Sequence, residues 1–311
     1  MTRSAAFNRP RLLIVGCGDV GMRVLPLVRA RWRVFALTSG PERCAELRAA
    51  GAIPIVADLD RPQTLHRLRG LADWVLHLAP PQPEGGEDRR TRHLVAALGK
   101  VGRLVYVSTT GVYGDCRGEL VHESRPVAPK NARARRRVDA ERVLRAWALA
   151  NGTRLAILRA PGIYAAERLP LKRLELGTPA LRPEDDVYTN HIHADDLARI
   201  AVQALLHARG GRVVHAVDDT RMKMADYFDA VADAFGMARP PRLPRAELQA
   251  VVTPALLSFM SESRRLDNTR LKRELRVRLR YPDVAVALAR MATVQSRPGT
   301  HSTNQRAENP A

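Results

Sequence analysis

The sequence predicts an α/β fold: a Rossmann-type doubly wound parallel sheet followed by a smaller C-terminal lobe. Three observations predict it. An apolar run, Arg11-Leu12-Leu13-Ile14-Val15, ends abruptly in Gly16-Cys17-Gly18-Asp19-Val20-Gly21 and opens into a helical pattern; its length and β-branching are those of a buried strand. Short apolar runs then alternate with helical stretches as far as residue 160, and runs apolar on both faces belong to a parallel sheet covered on two sides. Beyond Pro161 this rhythm gives way to Pro-bearing loops and helices.

Residues 1–9 read as a flexible leader, and the first strand follows. The G-x-G-x-x-G turn after it has the strand-before, helix-after context of a dinucleotide-binding loop. Gly16 makes the tight turn, Gly18 lets the backbone approach a pyrophosphate, and Gly21 lets the next helix pack on the sheet. Asp19 and Val20 open that helix, whose N–H groups and positive dipole end suit a phosphate. A purely structural turn, or a methyltransferase-type loop, would use the same glycines. The helix carries Val24, Leu25, Val28 and Trp32 at helical spacing, with Pro26 expected in its first turns.

Strand two is Arg33 to Thr38, and a short helix runs from Gly40-Pro41 to about Ala50. At the end of strand two, where a carboxylate would hold the ribose hydroxyls of NAD, stand Leu37-Thr38-Ser39. Thr38, Ser39 and Arg43 suit a 2′-phosphate instead, which favours NADP while leaving NAD possible; Arg43 as a solvated helix residue is the plain alternative. Ile53-Pro54-Ile55-Val56 is strand three, its proline indicating an edge or a strand start. Asp58 either accepts a hydrogen bond from an adenine amino group or caps the following helix, which carries Leu65 and Leu68. Strand four is Trp74 to Ala79.

The Pro/Gly-rich polar stretch 80–88 is expected to be exposed and mobile. A helix from Arg92 to Leu98, strand five from Arg103 to Ser108, a long helix from Ala132 to Ala150 and strand six from Arg154 to Leu158 complete the alternation. One more strand is expected near Val213-Val214-His215. Residues 10–165 therefore read as a dinucleotide-binding domain and 166–294 as mostly a substrate lobe, with 190–216 returning to the first domain. The polar stretch 295–311 reads as a disordered tail.

Composition narrows the function. The chain has 311 residues and a formal net charge of +19, but only five of its 51 basic residues are lysines. Arginine is spread along the whole length rather than gathered in one patch, and aromatic residues make up 5%, which leaves little for base stacking. The partner expected is a small molecule rather than a nucleic acid or a membrane. No apolar run has the length of a membrane span, and no cleavage site follows the opening Met1-Thr2-Arg3-Ser4. Cys17, Cys44 and Cys116 are odd in number and lack C-x-x-C spacing, so reduced thiols in a cytoplasm are expected.

Several segments together resemble the extended short-chain dehydrogenases/reductases, the NAD-dependent epimerase/dehydratase group. They are GCGDVG at 16–21, ADL at 57–59, HLAP at 77–80, VSTTGVYGD at 107–115, LRAPGIY at 158–164, NHIHADDLA at 190–198 and the stretch from Ser263 to Leu275. The resemblance runs in the family's order over about residues 11 to 290. It implies that Gly16, Gly18, Asp19, Val20 and Gly21 hold the cofactor. Leu59 from the ADL segment, Leu78, Ala79 and Pro80 after strand four, and Pro161 and Gly162 near the nicotinamide complete its site. It also places Thr109 at the position of the catalytic hydroxyl; a turn-stabilising threonine would stand there equally well.

One departure matters most. The family's chemistry rests on Tyr-x-x-x-Lys on the long helix, where the lysine lowers the tyrosine pKa for proton exchange with a carbonyl. Counting back from Glu141 puts Arg137 at the lysine position and Arg133 at the tyrosine position, and the helix contains no tyrosine. Arginine stays protonated and gives up no proton at neutral pH. Arg137 can hold the nicotinamide ribose or an anionic substrate group, with Arg133 one turn away on the same face; Arg136 is expected to face elsewhere. The candidates left for an acid are Tyr113, Tyr164, Tyr188, His191 and His193. The two histidines and Asp195-Asp196 lack the spacing of a metal site, so no metal is expected. Two functions remain open: an atypical NAD(P)-dependent oxidoreductase or epimerase, or a non-catalytic NADP-binding sensor or partner-binding protein.

Overall fold

The structure, a computed structural model, describes residues 9–253, 256–257 and 260–295. All but Arg9 of the expected leader, and all but Gln295 of the expected tail, lie outside the described residues. The chain begins in the middle of its sheet. β1 (Arg11–Val15) is followed by α1 (Asp19–Val28), β2 (Arg33–Thr38), α2 (Cys44–Ala49) and β3 (Ile53–Val56), which step outward to one edge. The chain then crosses back. β4 (Trp74–His77) pairs with the other side of β1, and α3 (Arg89–Ala97), β5 (Arg103–Thr109), a short β6 (Leu120–Val121), α4 (Ala132–Asn151) and β7 (Arg154–Ala160) continue outward.

Beyond β7 come β8 (Gly162–Tyr164), α5 (Leu171–Glu175), β9 (Ala180–Leu181), β10 (Tyr188–Thr189), β11 (His191–His193), α6 (Ala194–His207) and β12 (Arg212–His215). β12 closes the far edge, giving seven parallel strands in the order β12-β7-β5-β4-β1-β2-β3. The order reverses between β1 and β4, so connections leave their carboxyl ends in opposite directions and open a crevice there.

The pleat sends successive side chains of one strand to opposite faces. Leu12 and Ile14 pack with Val24 and Leu25 of α1 and with Ile200, Ala201 and Leu205 of α6. Leu13 and Val15 pack with Leu65, Leu68, Leu94 of α3 and Leu144 of α4. A third core, holding Leu174, Leu181, Phe228, Val231, Leu248 and Leu288, gathers the segments after β8. Within it β13 (Met222–Lys223) and α7 (Met224–Ala234) pack beside β14 (Arg242–Leu243) and α8 (Arg245–Val251).

Two local expectations are corrected and a third is refined. Pro26 lies near the C-terminal end of α1, not in its first turns; it takes away the donor that the Met22 carbonyl, one turn earlier, would otherwise have. The segment carrying Leu65 and Leu68 is a 3-10 helix, Pro62–Leu68. The stretch 80–88 is exposed, as expected, at Pro80 and over 83–87, but it is anchored from within. Gln82 and Asp88 are buried. The Gln82 amide donates to the Glu84 and Glu87 carbonyls, and Arg136 Nη1 donates to the Gly85 carbonyl at 2.7 Å. Arg136 is therefore buried against this loop and is not a bystander on α4.

A buried ion pair ties the carboxyl ends of three strands to α4. Glu141 accepts from Ser108 Oγ at 2.7 Å and from Arg159 Nε and Nη2 at 3.0 and 2.6 Å. Arg159 Nη1 also reaches the Tyr113 hydroxyl, which lies 2.6 Å from His215 Nε2. His215 Nδ1 meets the Asp267 carbonyl at 2.9 Å, so its proton sits there and Nε2 accepts from Tyr113. Removing one partner of a buried pair strands the other charge. Glu141→Ala should lower the free energy of urea unfolding by about 3–5 kcal/mol. Arg212→Ala, which breaks the half-exposed pair with Glu274, should lower it by less than about 1 kcal/mol.

Candidate functional site

The Gly loop is built by backbone proximity. The Val15 carbonyl accepts from both Leu78 N and Ala79 N, at 2.8 and 3.0 Å. This draws the end of β4 so close that a Cβ on Gly16, whose φ is +83°, would stand 2.5 Å from the Ala79 nitrogen. What crowds Gly21 is the loop itself, since a Cβ there would meet Cys17 Sγ at 3.0 Å. Burial pushes the Cys17 thiol up to about 11, so it stays neutral. Gly18 differs from both: a Cβ there would meet nothing within 4 Å. Gly18 caps α1, and beyond it the first N–H groups of the helix, from Asp19 and Val20 onward, have no acceptor of their own turn. Open space in front of such donors fits a diphosphate, and this is the test by which the loop suits a dinucleotide.

At the end of β2, Thr38 Oγ1 donates to the Gly40 carbonyl at 3.1 Å, and Ser39 lies beside it. Arg43 is drawn against the Gly loop: Nη1 donates to the Cys17 carbonyl at 2.5 Å and Nε to Glu46 at 2.8 Å. The Glu46 hydrogen bond raises the Arg43 pKa. Asp58 is engaged in its own turn, its Oδ1 accepting from Asp60 N at 2.9 Å. Leu59 is buried and its carbonyl accepts from His93 Nδ1 at 2.7 Å. Leu78 and Ala79 lie under the loop, and Pro80 is exposed.

Beside this loop is a cleft of about 360 Å³. Thr109 at the end of β5, Arg133 and Arg137 on α4, and Pro161 and Gly162 after β7 all line it. Thr109 Oγ1 also accepts from Gly111 N at 3.3 Å, so the same hydroxyl caps the 3-10 turn that follows. Arg137 Nη1 donates to the Tyr106 hydroxyl and the Val107 carbonyl, at 2.9 and 3.0 Å. Tyr106 in turn lies against the buried His77 ring, 5.0 Å between centroids. Burial first, and then Arg137, hold His77 down at about 3, so it is neutral. Arg133 reaches the cleft from its rim, and partial burial and the neighbouring Arg137 lower its pKa.

Residues that the sequence did not single out complete the walls. Arg168 lines the cleft and stands 3.0 Å from Asp19, joining cleft and Gly loop. Arg264 donates to the Gly114 carbonyl at 2.7 Å and to Glu262 at 2.8 Å, while Asn131 donates to the other Glu262 oxygen. Arg168 and Glu262 lie in none of the recognised segments, and Arg264, within the Ser263–Leu275 stretch, had no role assigned to it. Of the five candidate acids, Tyr188 lines the cleft. Tyr113 belongs to the buried network on Arg159. Tyr164 packs edge-on against His191 and His193, and His193 stacks on Tyr281 at 3.7 Å. His193 Nδ1 accepts from Asp195 N and so caps α6. Among the described residues no group of three acidic, histidine or cysteine side chains is placed to hold a metal.

The sequence matches the model of the NAD dependent epimerase/dehydratase family over residues 12–217. The chain belongs to that family. A GDP-6-deoxy-D-mannose reductase of Pseudomonas aeruginosa is 25% identical over 285 residues, covering 82% of this chain and 86% of that protein. A functionally unknown conserved protein from Silicibacter pomeroyi superposes with a TM-score of 0.76 at 28% identity, covering 92% of this chain and 99% of the other. The dTDP-glucose 4,6-dehydratase DesIV from Streptomyces venezuelae, solved with NAD bound, superposes with a TM-score of 0.71 at 23% identity over 91% of this chain and 96% of its own. The superpositions support the α/β sheet; the NAD dependence is that of the family whose model matches.

The two loop glycines separate structural from binding constraint in this family member. Gly16→Ala should lower stability by at least about 2 kcal/mol, from backbone strain and collision with Ala79. Gly18→Ala should change the ligand-free chain by less than about 1 kcal/mol. Urea unfolding of both variants measures the contrast.

Proposed function

We propose that the chain is an NADP-dependent oxidoreductase or epimerase acting on a small molecule that carries an anionic group. The cofactor, when bound, supplies or accepts hydride. The observation that carries this reading is the charge of the cleft: Arg133, Arg137, Arg168 and Arg264 line it against a single carboxylate, Glu262. A planar guanidinium fork matches a carboxylate or phosphate better than a neutral hydroxyl. The Gly loop, with Asp19, Val20, Leu59, Leu78, Ala79 and Pro80 around it, holds the dinucleotide. Thr38, Ser39 and Arg43 favour a 2′-phosphate, since no carboxylate ends β2 to claim the ribose hydroxyls.

Within the cleft, Thr109 supplies a hydroxyl next to Pro161 and Gly162 at the nicotinamide end. Arg137, braced by Tyr106 and the Val107 carbonyl, orients the anionic group or the cofactor ribose. It cannot serve as the proton donor. Of the candidate acids, Tyr188 is the one that lines the cleft, where its phenol stands with Thr109 as a group able to exchange a proton. The absence of a tyrosine from α4 favours a second reading, a non-catalytic NADP sensor. Tight cofactor binding without NADPH consumption across a panel of carbonyl compounds bearing carboxylate or phosphate would select it. Three cysteines without C-x-x-C spacing suit a cytoplasmic protein.

NADPH should bind more tightly than NADH in calorimetric titration, and Arg43→Ala should weaken NADPH chiefly, by about 1.5–3 kcal/mol, the range of a hydrogen bond to a charged group. Equal affinities for the two cofactors would end the 2′-phosphate assignment. For the cleft, Arg137→Ala should impair binding of cofactor or of an anionic substrate by about tenfold or more, while Arg135→Ala, exposed on the same helix, should leave both unchanged. Arg136 is unsuitable as the silent control because of its bond to Gly85. If the Arg137 and Arg135 variants behave alike, the arginines of α4 are a solvated face and nothing more.

A further inference from the structure

We propose that Arg168 is a ligand of the cofactor diphosphate, and the counter-ion that allows an aspartate to stand in the first turn of the phosphate-facing helix; this rests on the cofactor reading above. Asp19 directly follows Gly18, where a bound diphosphate would lie. A carboxylate there repels a diphosphate and competes with it for the positive end of the helix. A site that keeps Asp19 needs a cation that answers both charges.

Two arginines touch Asp19, and they differ in how far their charge is already answered. Arg23 Nε donates to Asp19 Oδ1 at 2.8 Å, while its Nη1 and Nη2 donate to Asp195 and Glu167. Every nitrogen of that guanidinium therefore has a carboxylate partner, and three carboxylates already answer the one Arg23 charge. Arg168 Nε stands 3.0 Å from Asp19 Oδ2, yet that buried oxygen receives no well-directed hydrogen bond. The Arg168 side chain is 37% exposed and lines the cleft. Its Nη groups make no hydrogen bond to the described residues, which leaves the fork of a cleft-lining arginine without a protein acceptor.

The segment that carries Arg168 is held in place for this task. It is a single 3-10 turn, Ala166–Arg168, directly after β8, and Glu167 within it is anchored to Arg23. Arg168 can thus keep Asp19 and receive a diphosphate oxygen without moving its backbone. A guanidinium shared by a carboxylate and a diphosphate gives two charge-assisted contacts from one side chain.

The test is calorimetric titration of the full chain with three probes: NADPH, 2′-phospho-ADP-ribose, which keeps the diphosphate and lacks nicotinamide, and 2′-AMP, which lacks the diphosphate. Arg168→Ala should weaken the first two by at least about tenfold and leave 2′-AMP unchanged. Asp19→Asn placed in the Arg168→Ala background should restore most of the loss, because the uncompensated charge is then gone. A purely structural role for Arg168 would not be rescued by removing a carboxylate. Unchanged affinity for 2′-phospho-ADP-ribose, an equal loss for 2′-AMP, or no rescue by Asp19→Asn each overturns the proposal. If NADH proves the tighter cofactor, NADH, ADP-ribose and adenosine take the places of the three probes and the same outcomes decide. A wild-type chain that binds no dinucleotide of either kind overturns the cofactor reading, and this inference falls with it.

Discussion

At Gly16 the backbone after β1 comes so near the end of β4 that the Val15 carbonyl serves two amides, and no side chain fits between them. This seam lies where the strand order reverses, and the rest of the site depends on it. It directs α1 away from the sheet with its N-terminus toward the crevice. It also sets the end of β4 beside the loop, with β5 and β7 next in order, so that Thr109 and Pro161 emerge on the same side. Gly18, with nothing to fill its Cβ position, marks where the seam leaves room. Gly16 and Gly18 thus have different physical reasons: one removes a collision, the other leaves a vacancy at a helix end.

The second constraint is electrostatic. Where the family's usual helix offers a phenol activated by an ammonium group, α4 offers two guanidinium groups. Arg137 is not a loose surface charge, because Tyr106 and the Val107 carbonyl fix one of its nitrogens. Behind Tyr106, His77 is buried and neutral, so no second positive charge builds up there. Around the cleft Glu262 answers Arg264, and Asp19 answers Arg168, but the arginines outnumber the acids. A site of this kind draws in an anion and holds it by fixed forks. Proton transfer then has to come from a hydroxyl group, not from the basic helix.

Much of this was legible in the chain because it is periodic or local. The apolar run into the Gly turn, the alternation of strands with helices, and Arg133 and Arg137 one turn apart on one helix all show in spacing alone. Thr109 was legible as the residue ending a strand in a recognisable segment. Arg168, Glu262 and Arg264 were not, since their meeting at the cleft depends on how irregular segments cross the sheet ends. Arg136 faces away from the cleft, as its place on the helix implied, but its end on the Gly85 carbonyl, a partner from a distant loop, does not show in spacing. The 80–88 stretch is exposed as its composition implied, but composition does not show that Gln82 turns inward to satisfy its carbonyls while Asp88 caps α3.

The central claim is that one continuous site runs from the Gly loop, past Arg168, to the cleft of Thr109 and Arg137. A crystal structure with NADPH bound tests it most directly. The account predicts the diphosphate over Gly18, the nicotinamide C4 in the cleft near Thr109 and Pro161, and the Arg137 guanidinium facing the cofactor ribose or the space beside C4. A nicotinamide lying outside that cleft, or a diphosphate bound away from the first turn of α1, would contradict it.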